Sequence, residues 1–219
     1  TPDPRTIRRT LVALLLATTL PLGHAEPEAE GAPLAAERVQ AQLLRVVDGD
    51  TLEVLLPGRE EPQSVRLLCL DTEEKSPQGA SETKPQTAFG KATSEWAARW
   101  FATRLAELGQ PTVTLECEPR AERFDAYGRL LAYAHVGDVC YNLVAVRLGY
   151  SPYFNKYGNS RLYHQDFLQA QHQAQEEQLG VWSPDREAEG ATRPYDRLLP
   201  WWDMRAEIID EFRAFDQAH

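Results

Sequence analysis

Between Arg45 and Glu74 three short apolar runs are cut apart by two turn signals, and this pattern narrows the fold more than any other stretch. Asp48-Gly49 separates the first run from the second, and Pro57-Gly58 separates the second from the third. Such dipeptides supply the backbone angles and local hydrogen bonds of tight turns. Leu52, Val54 and Leu56, then Val65, Leu67 and Cys69, alternate with the period of strands buried on one face. Pairing them as a meander puts Asp50 and Asp71 at strand ends. Two carboxylates converging there repel unless they share a proton or a cation. A hard divalent cation with oxygen ligands resolves that repulsion. Arg66, shortly before Asp71 on the same strand, is then placed to face a phosphate bound to the metal.

The expected strands lie near 42–48, 51–57 and 64–70. Residues 75–88 are polar with two prolines and form a mobile loop beside the site. Phe89 to Leu105 is expected to be helical, with Trp96, Trp100, Phe101 and Leu105 on one stripe. A single stripe marks core packing rather than a nucleotide-stacking platform. Thr112–Cys117 reads as a fourth strand and Arg129–Val136 as a fifth, joined by the polar connection Arg120–Gly128. Cys140–Leu148, closed by Gly149, and Asp166–Leu179, closed by Gly180, read as helices with glycine stops.

Three motifs fall in order along this framework: Val47-Asp48-Gly49-Asp50-Thr51, then Arg66 followed by Asp71-Thr72-Glu73-Glu74, then Asp125-Ala126-Tyr127-Gly128-Arg129. With the closing Gly180-Val181-Trp182, the stretch from about Leu43 to Trp182 resembles the thermonuclease (staphylococcal nuclease-like) family. The resemblance implies an α+β, β-rich fold: a five-stranded OB-fold Greek-key barrel with about three helices. It further implies a calcium-dependent phosphodiesterase that cuts DNA and RNA to 3′-phosphate ends. Asp50, Asp71 and the backbone carbonyl of Thr72 would hold Ca²⁺, and Glu74 would be the general base. Arg66 and Arg129 would clamp the phosphate, with Tyr127 and Tyr157 binding substrate. The residue types suit these roles, since carboxylates are hard ligands and guanidinium matches phosphate oxygens. Asp48 and Asp125 serve equally well as turn formers.

The chain departs from the family pattern at three places. Glu73 stands where the family usually has Pro, which loosens the turn that aims Glu74. Ala126 stands where Lys is frequent. Of the aromatic pair that sandwiches a base, Tyr157 is present, while Asn155 replaces the second and Tyr153 is near enough to substitute. The expectation is Glu74 as base and Glu73 facing solvent.

The ends read differently. In residues 1–25, Arg5, Arg8 and Arg9 precede an apolar run from Leu11 to Leu22, ending in Gly23-His24-Ala25. This is the anatomy of a secretory signal peptide cleaved after Ala25, and Arg8-Arg9 also permits twin-arginine export. The run is shorter than the ~20 apolar residues of a membrane span, so no stable insertion is expected after cleavage. Secretion, or release to a periplasm, follows. Cleavage removes three Arg and one Asp, taking the formal charge from −10 to −12. That is the wrong sign for bulk electrostatic capture of nucleic acid; phosphodiester chemistry here needs a metal and placed arginines. Residues 26–40 read as a disordered leader, 41–182 as the barrel domain, and 183–219 as a linker and an amphipathic helix. Trp201, Ile208, Phe212 and Phe215 repeat along that helix at packing intervals. Docking on the domain's own surface is the expectation, with a monomer overall. Of Cys69, Cys117 and Cys140, the first reads as a buried small hydrophobe and the other two as the pair better suited to a disulfide. The competing function is a non-catalytic barrel that binds nucleic acid or protein. Degenerate copies lose carboxylates or arginines first, and this chain keeps all five.

Overall fold

A computed structural model describes residues 36–188, 190, 191 and 193–218, with side chains to 216. The expected signal peptide and residues 26–35 of the expected leader lie outside the described residues. Six strands form one sheet: β1 (Glu37–Asp48), β2 (Thr51–Leu55), β3 (Gln63–Leu67), β4 (Thr112–Cys117), β5 (Leu130–Val136) and the short β6 (Val139–Cys140). The first three make the expected meander, with Thr51 opposite Arg66. β1 pairs with β2 through Gln42–Asp48 and with β4 through Glu37–Gln42, its register shifting twice along the β2 side. Such irregularities sharpen twist and let one long strand serve two neighbours. β3 pairs in parallel with β5, Val65 opposite Leu130, which closes β1–β5 into a five-stranded barrel. The OB-type architecture is thus present. β6 is an addition, a two-residue return onto β5 after Gly137-Asp138.

β1 begins at Glu37, inside the stretch expected as leader. Its start is polar, but Val39 and Ala41 turn inward and Arg38 pairs with Glu116 across the ladder. Leu52, Val54, Val65, Leu67, Val113, Leu115, Leu130, Ala132 and Ala134 fill the barrel, as the alternation requires. Burying that much apolar surface at ~25 cal/mol per Å² is the main stabilising term.

Helix α1 (Ala88–Leu108) starts on the Thr87 hydroxyl, which accepts from Gly90 N–H, and ends at left-handed Gly109. Ala97 and Phe101 enter the core, while Trp96 stacks on Tyr150 at 3.9 Å and Trp100 packs on Tyr141. The aromatic stripe is therefore core. Helices α2 (Tyr141–Arg147) and α3 (His164–Glu176) close the other side through Val146, Phe167 and Ala170.

The terminal helix α4 (Tyr195–Ala218) docks on the domain, but by a different face from the one expected. Tyr195 and Trp202 are buried with Phe89, Val181 and Ala191. Trp201, Ile208, Phe212 and Phe215 are exposed. The helix carries apolar groups on two faces. The one holding Trp202 wins because it seats edge-on against Phe154 at 4.8 Å. Among the described residues no helix is long and apolar enough to cross a membrane.

The three cysteines are free. A Cys117–Cys140 bridge is ruled out by the ladder: Thr114 lies opposite His135, and His135 opposite Cys140. Cys117 is thus two strands across and three residues along from Cys140. Two strand spacings alone come to ~10 Å, beyond disulfide reach.

Candidate active site

Asp50 sits in the turn between β1 and β2, and the chain returns to it from the end of β3. Cys69 takes φ 62°, an unusual conformation for a residue with a side chain. That left-handed step ends the strand geometry and swings Asp71 and Thr72 back onto the turn. Cys69 is consequently half-buried at a kink, its sulfur 3.5 Å from the Tyr133 hydroxyl, and not a regular strand residue. Thr72 donates to Asp50 Oδ2 from its backbone N–H at 3.1 Å and its hydroxyl at 3.0 Å, while Thr51 donates to Oδ1. Gly90 allows α1 to approach this segment closely. A Cβ there would come within 2.4 Å of the Glu74 carbonyl oxygen.

Asp50, Asp71, Glu74 and Arg66 are brought together in one cluster with Lys84. Arg66 forms an ion pair with Asp50 through Nη1, and its Nη2 lies 3.6 Å from Asp71 Oδ1. Burial pushes the Asp50 carboxyl up, but the Arg66 and Lys84 charges outweigh it and hold the group well below the usual carboxylate range. Burial alone would lower the Arg66 guanidinium; Asp50 and Asp71 more than offset that and raise it.

Two further cations belong to the cluster. Lys84, from the 75–87 loop, places its ammonium 2.9 Å from Asp71 Oδ1, 2.8 Å from Glu74 Oε1 and 3.7 Å from Asp50 Oδ2. Those carboxylates raise its affinity for a proton despite its burial. Arg193, from the segment before α4, reaches Asp71 Oδ2 at 2.8 Å. Lys84 was foreshadowed only by its place in the polar loop beside the site, and Arg193 only by the anomalous Glu73.

Glu73 does not face solvent. It is fully buried, and its Oε1 accepts from Arg193 N–H and the Tyr195 hydroxyl, each at 3.3 Å. The kink at Cys69 rotates the following residues, so Glu74 turns toward the cluster while Glu73 turns toward the tail.

The third motif forms a tight turn into β5. Asp125 accepts from the backbone N–H groups of Tyr127 and Arg129 and from Arg129 Nε at 2.7 Å. Asp125 is thus both a turn former and an arginine partner. Burial pushes its carboxyl up, and the three donors pull it below its ordinary value. Arg129 is two residues before Leu131, which pairs with Arg66, so strand alternation puts both arginines on one face of the barrel. Tyr127 is 85% exposed beside the Arg129 guanidinium.

Tyr157 lies apart from the cluster and is exposed, touching Phe154 and Lys156. Tyr153 cannot replace a base-stacking partner: it is buried, stacked on Phe167 at 4.9 Å, with its hydroxyl on His164 and Ser160. Asn155 is buried and donates to Asp203 of α4. The position of the missing tyrosine is thus occupied by a tail anchor.

Among the described residues no three acidic, His or Cys side chains form a ready-made metal cage. The ammonium of Lys84 stands among the Asp50, Asp71 and Glu74 oxygens. The donor set suits a hard cation in chemistry, since Asp50, Asp71 and Glu74 supply carboxylate oxygens around one position. A chain-borne cation already occupies the focus of that set, so the residues fit a metal that displaces it.

The family model for the staphylococcal nuclease homologue matches residues 64–184. A thermonuclease of Staphylococcus intermedius is 31% identical over 138 residues, covering 63% of this chain and 73% of that protein. An uncharacterised protein of Bacillus anthracis is 31% identical over 163 residues, covering 74% and 69%. The endonuclease YncB of Bacillus subtilis is 29% identical over 146 residues, covering 66% and 62%.

Proposed function

The chain belongs to the staphylococcal nuclease family, and on that premise we propose that it is an exported, calcium-dependent nuclease. It hydrolyses phosphodiester bonds of DNA and RNA with little sequence preference and leaves 3′-phosphate ends. One observation carries the reading: Asp50, Asp71 and Glu74 converge on a single cation position beside Arg66.

Asp50, Asp71 and the Thr72 carbonyl would hold the calcium ion. When bound, it supplies positive charge for the phosphate and a more acidic water. The remaining work belongs to side chains. Glu74, released from Lys84, takes a proton from the attacking water. The water oxygen bonds to phosphorus as the bond to the 5′ oxygen breaks. The departing 5′ oxygen takes up a proton from solvent, leaving a 3′-phosphate and a 5′-hydroxyl. Arg66 and Arg129, from one barrel face, present guanidinium donors to the phosphoryl oxygens, whose charge grows in the transition state. Tyr127, exposed beside Arg129, is free to donate to the same phosphate. Tyr157 contacts the substrate farther out.

Export follows from the signal-like residues 1–25, with cleavage after Ala25; amino-terminal sequencing of the protein recovered outside the cytoplasm checks it. The activity is tested by a DNA and RNA zymogram with calcium and with excess chelator. Clearing with calcium alone is expected. Undiminished cutting in chelator would overturn the metal requirement.

A further inference from the structure

We propose that the segment beyond the family match completes the active site, with Arg193 as a positioning residue that holds Asp71 in its cation-binding orientation. The inference rests on the calcium reading above. The family model ends at residue 184, yet Arg193 is the sole residue bonded to Asp71 Oδ2 among the described hydrogen bonds and ion pairs.

The two oxygens of Asp71 are divided. Oδ1 faces the cluster, 2.9 Å from Lys84 and 3.6 Å from Arg66. Oδ2 is held by Arg193 Nη1 at 2.8 Å, with the Asp71 carbonyl 3.5 Å from the same nitrogen. The Asp71 N–H donates to the Ser151 hydroxyl, so the residue is pinned at backbone and side chain together.

Arg193 is itself held. It is 7% exposed, its backbone N–H donates to Glu73, and its guanidinium lies over the rings of Tyr195 and Trp202. Gly190, just upstream, accepts from Phe89 N–H at the start of α1. Glu73 thereby gains a role where the family has Pro: its carboxylate binds the tail that brings Arg193 to Asp71.

Two effects oppose each other. The guanidinium charge repels a divalent cation, whereas its bond to Oδ2 keeps Oδ1 available. Without Arg193, Asp71 would be a buried carboxylate with one oxygen unmatched, a costly state. It relaxes by turning that oxygen onto Arg66 and Lys84, which then compete with the metal more strongly. Orientation therefore outweighs repulsion. Residues that orient metal ligands from behind cost ~10–100-fold in metal affinity or activity when replaced.

The test is calcium binding by titration calorimetry on the full chain, for wild type, Arg193→Gln and Arg193→Lys, below the melting temperature of each. Arg193→Gln is expected to weaken calcium binding by ~10–100-fold. Arg193→Lys, which restores a charged donor to Oδ2, is expected to recover part of that loss. Unchanged affinity in Arg193→Gln, whatever its melting temperature, would reduce the contact to structural support and overturn the proposal. Tighter binding would overturn it as well, by making repulsion dominant. A wild-type chain that binds no calcium would remove the calcium reading, and this proposal with it.

Discussion

Adjacent glutamates with opposite surroundings make a sharp test of the site. Glu73→Gln and Glu74→Gln remove the same charge one residue apart, and the structure assigns them opposite consequences. Glu73 is fully buried against Arg193 and Tyr195. Glutamine keeps an acceptor for both donors, so the expected cost is ~1–3 kcal/mol, the scale of a hydrogen bond involving a charged group. In a domain of this size each kcal/mol moves Tm by ~2–4 °C. Glu73→Gln should therefore melt about 2–12 °C lower by that conversion, with turnover changed only a few-fold. Glu74 is partly exposed, and its side chain meets Lys84 at 2.8 Å. Glu74→Gln keeps an acceptor for Lys84, which also holds Asp71, so it should cost no more than ~1 kcal/mol, while turnover falls at least ~100-fold, the lower end for a positioned base. Scanning calorimetry and calcium-dependent hydrolysis of a DNA substrate, run on both variants, decide it. A stable but inactive Glu73→Gln beside an active Glu74→Gln would move the base to Glu73. Equal modest losses would mean neither is a dedicated base.

The two arginines should separate in stability and agree in activity. Arg66→Ala and Arg129→Ala should each lose at least ~100-fold in kcat/KM, as removal of a transition-state donor does. Only Arg66→Ala should also lower Tm, because Arg66 compensates buried Asp50 whereas Arg129 pairs at the surface. Lys84→Met should tighten calcium binding by about tenfold, ~1.4 kcal/mol, by removing the ammonium that the ion must displace; unchanged affinity in calorimetry would place Lys84 outside the cation site. His135 is buried against Glu116, and burial lowers its proton affinity despite that carboxylate. Unfolding then takes up a proton below the ordinary His value of 6.5, so stability is lost as pH falls through that value toward the folded one. His135→Gln should flatten the decline of Tm between about pH 7 and 5, the titration range of His, and an unaltered slope would refute the assignment.

How legible the protein was in its sequence depended on whether the determining contact was local. Leu52, Val54, Val65 and Leu67 announce inward faces by alternation alone, and Asp48-Gly49 and Pro57-Gly58 announce the turns. The first half of β1 carries no such signal, because Arg38 and Gln40 face outward and their partners are more than seventy residues on, Arg38 meeting Glu116. Periodicity showed that α4 is amphipathic but could not say which of its two apolar faces is buried. That was decided by the pocket between Phe89, Phe154 and Val181 that accepts Trp202. Strand logic likewise fails at Glu73: the left-handed step at Cys69 resets the alternation, and Arg193 lies 120 residues away. Asn155 is a milder case, a substitution explained only once Asp203 is seen beside it.

Charge balance ties the cluster to the chemistry. Asp50, Asp71 and Glu74 face Arg66, Lys84 and Arg193, with the Glu73 carboxylate held behind Arg193. The three inward acids are thus compensated by the chain's own cations, in a chain whose formal charge is −10. A polyanion approaching such a protein meets net repulsion, screened over ~8–10 Å at ordinary ionic strength. On the calcium reading proposed above, an ion taken up by Asp50 and Asp71 would change both terms. It would add two positive charges at the focus and release Lys84 and part of Arg66 from the carboxylates that hold them. The phosphate would then meet a locally cationic site with its donors freed. Because such coupling is reciprocal for binding, whatever calcium does for the substrate the substrate does equally for calcium. An acidic protein can in this way handle nucleic acid without a basic surface, provided that the ion and the phosphate arrive together. The internal cations keep the carboxylates paired until then, and this is why Asp50 and Asp71 can be buried, close to Glu74 and still available.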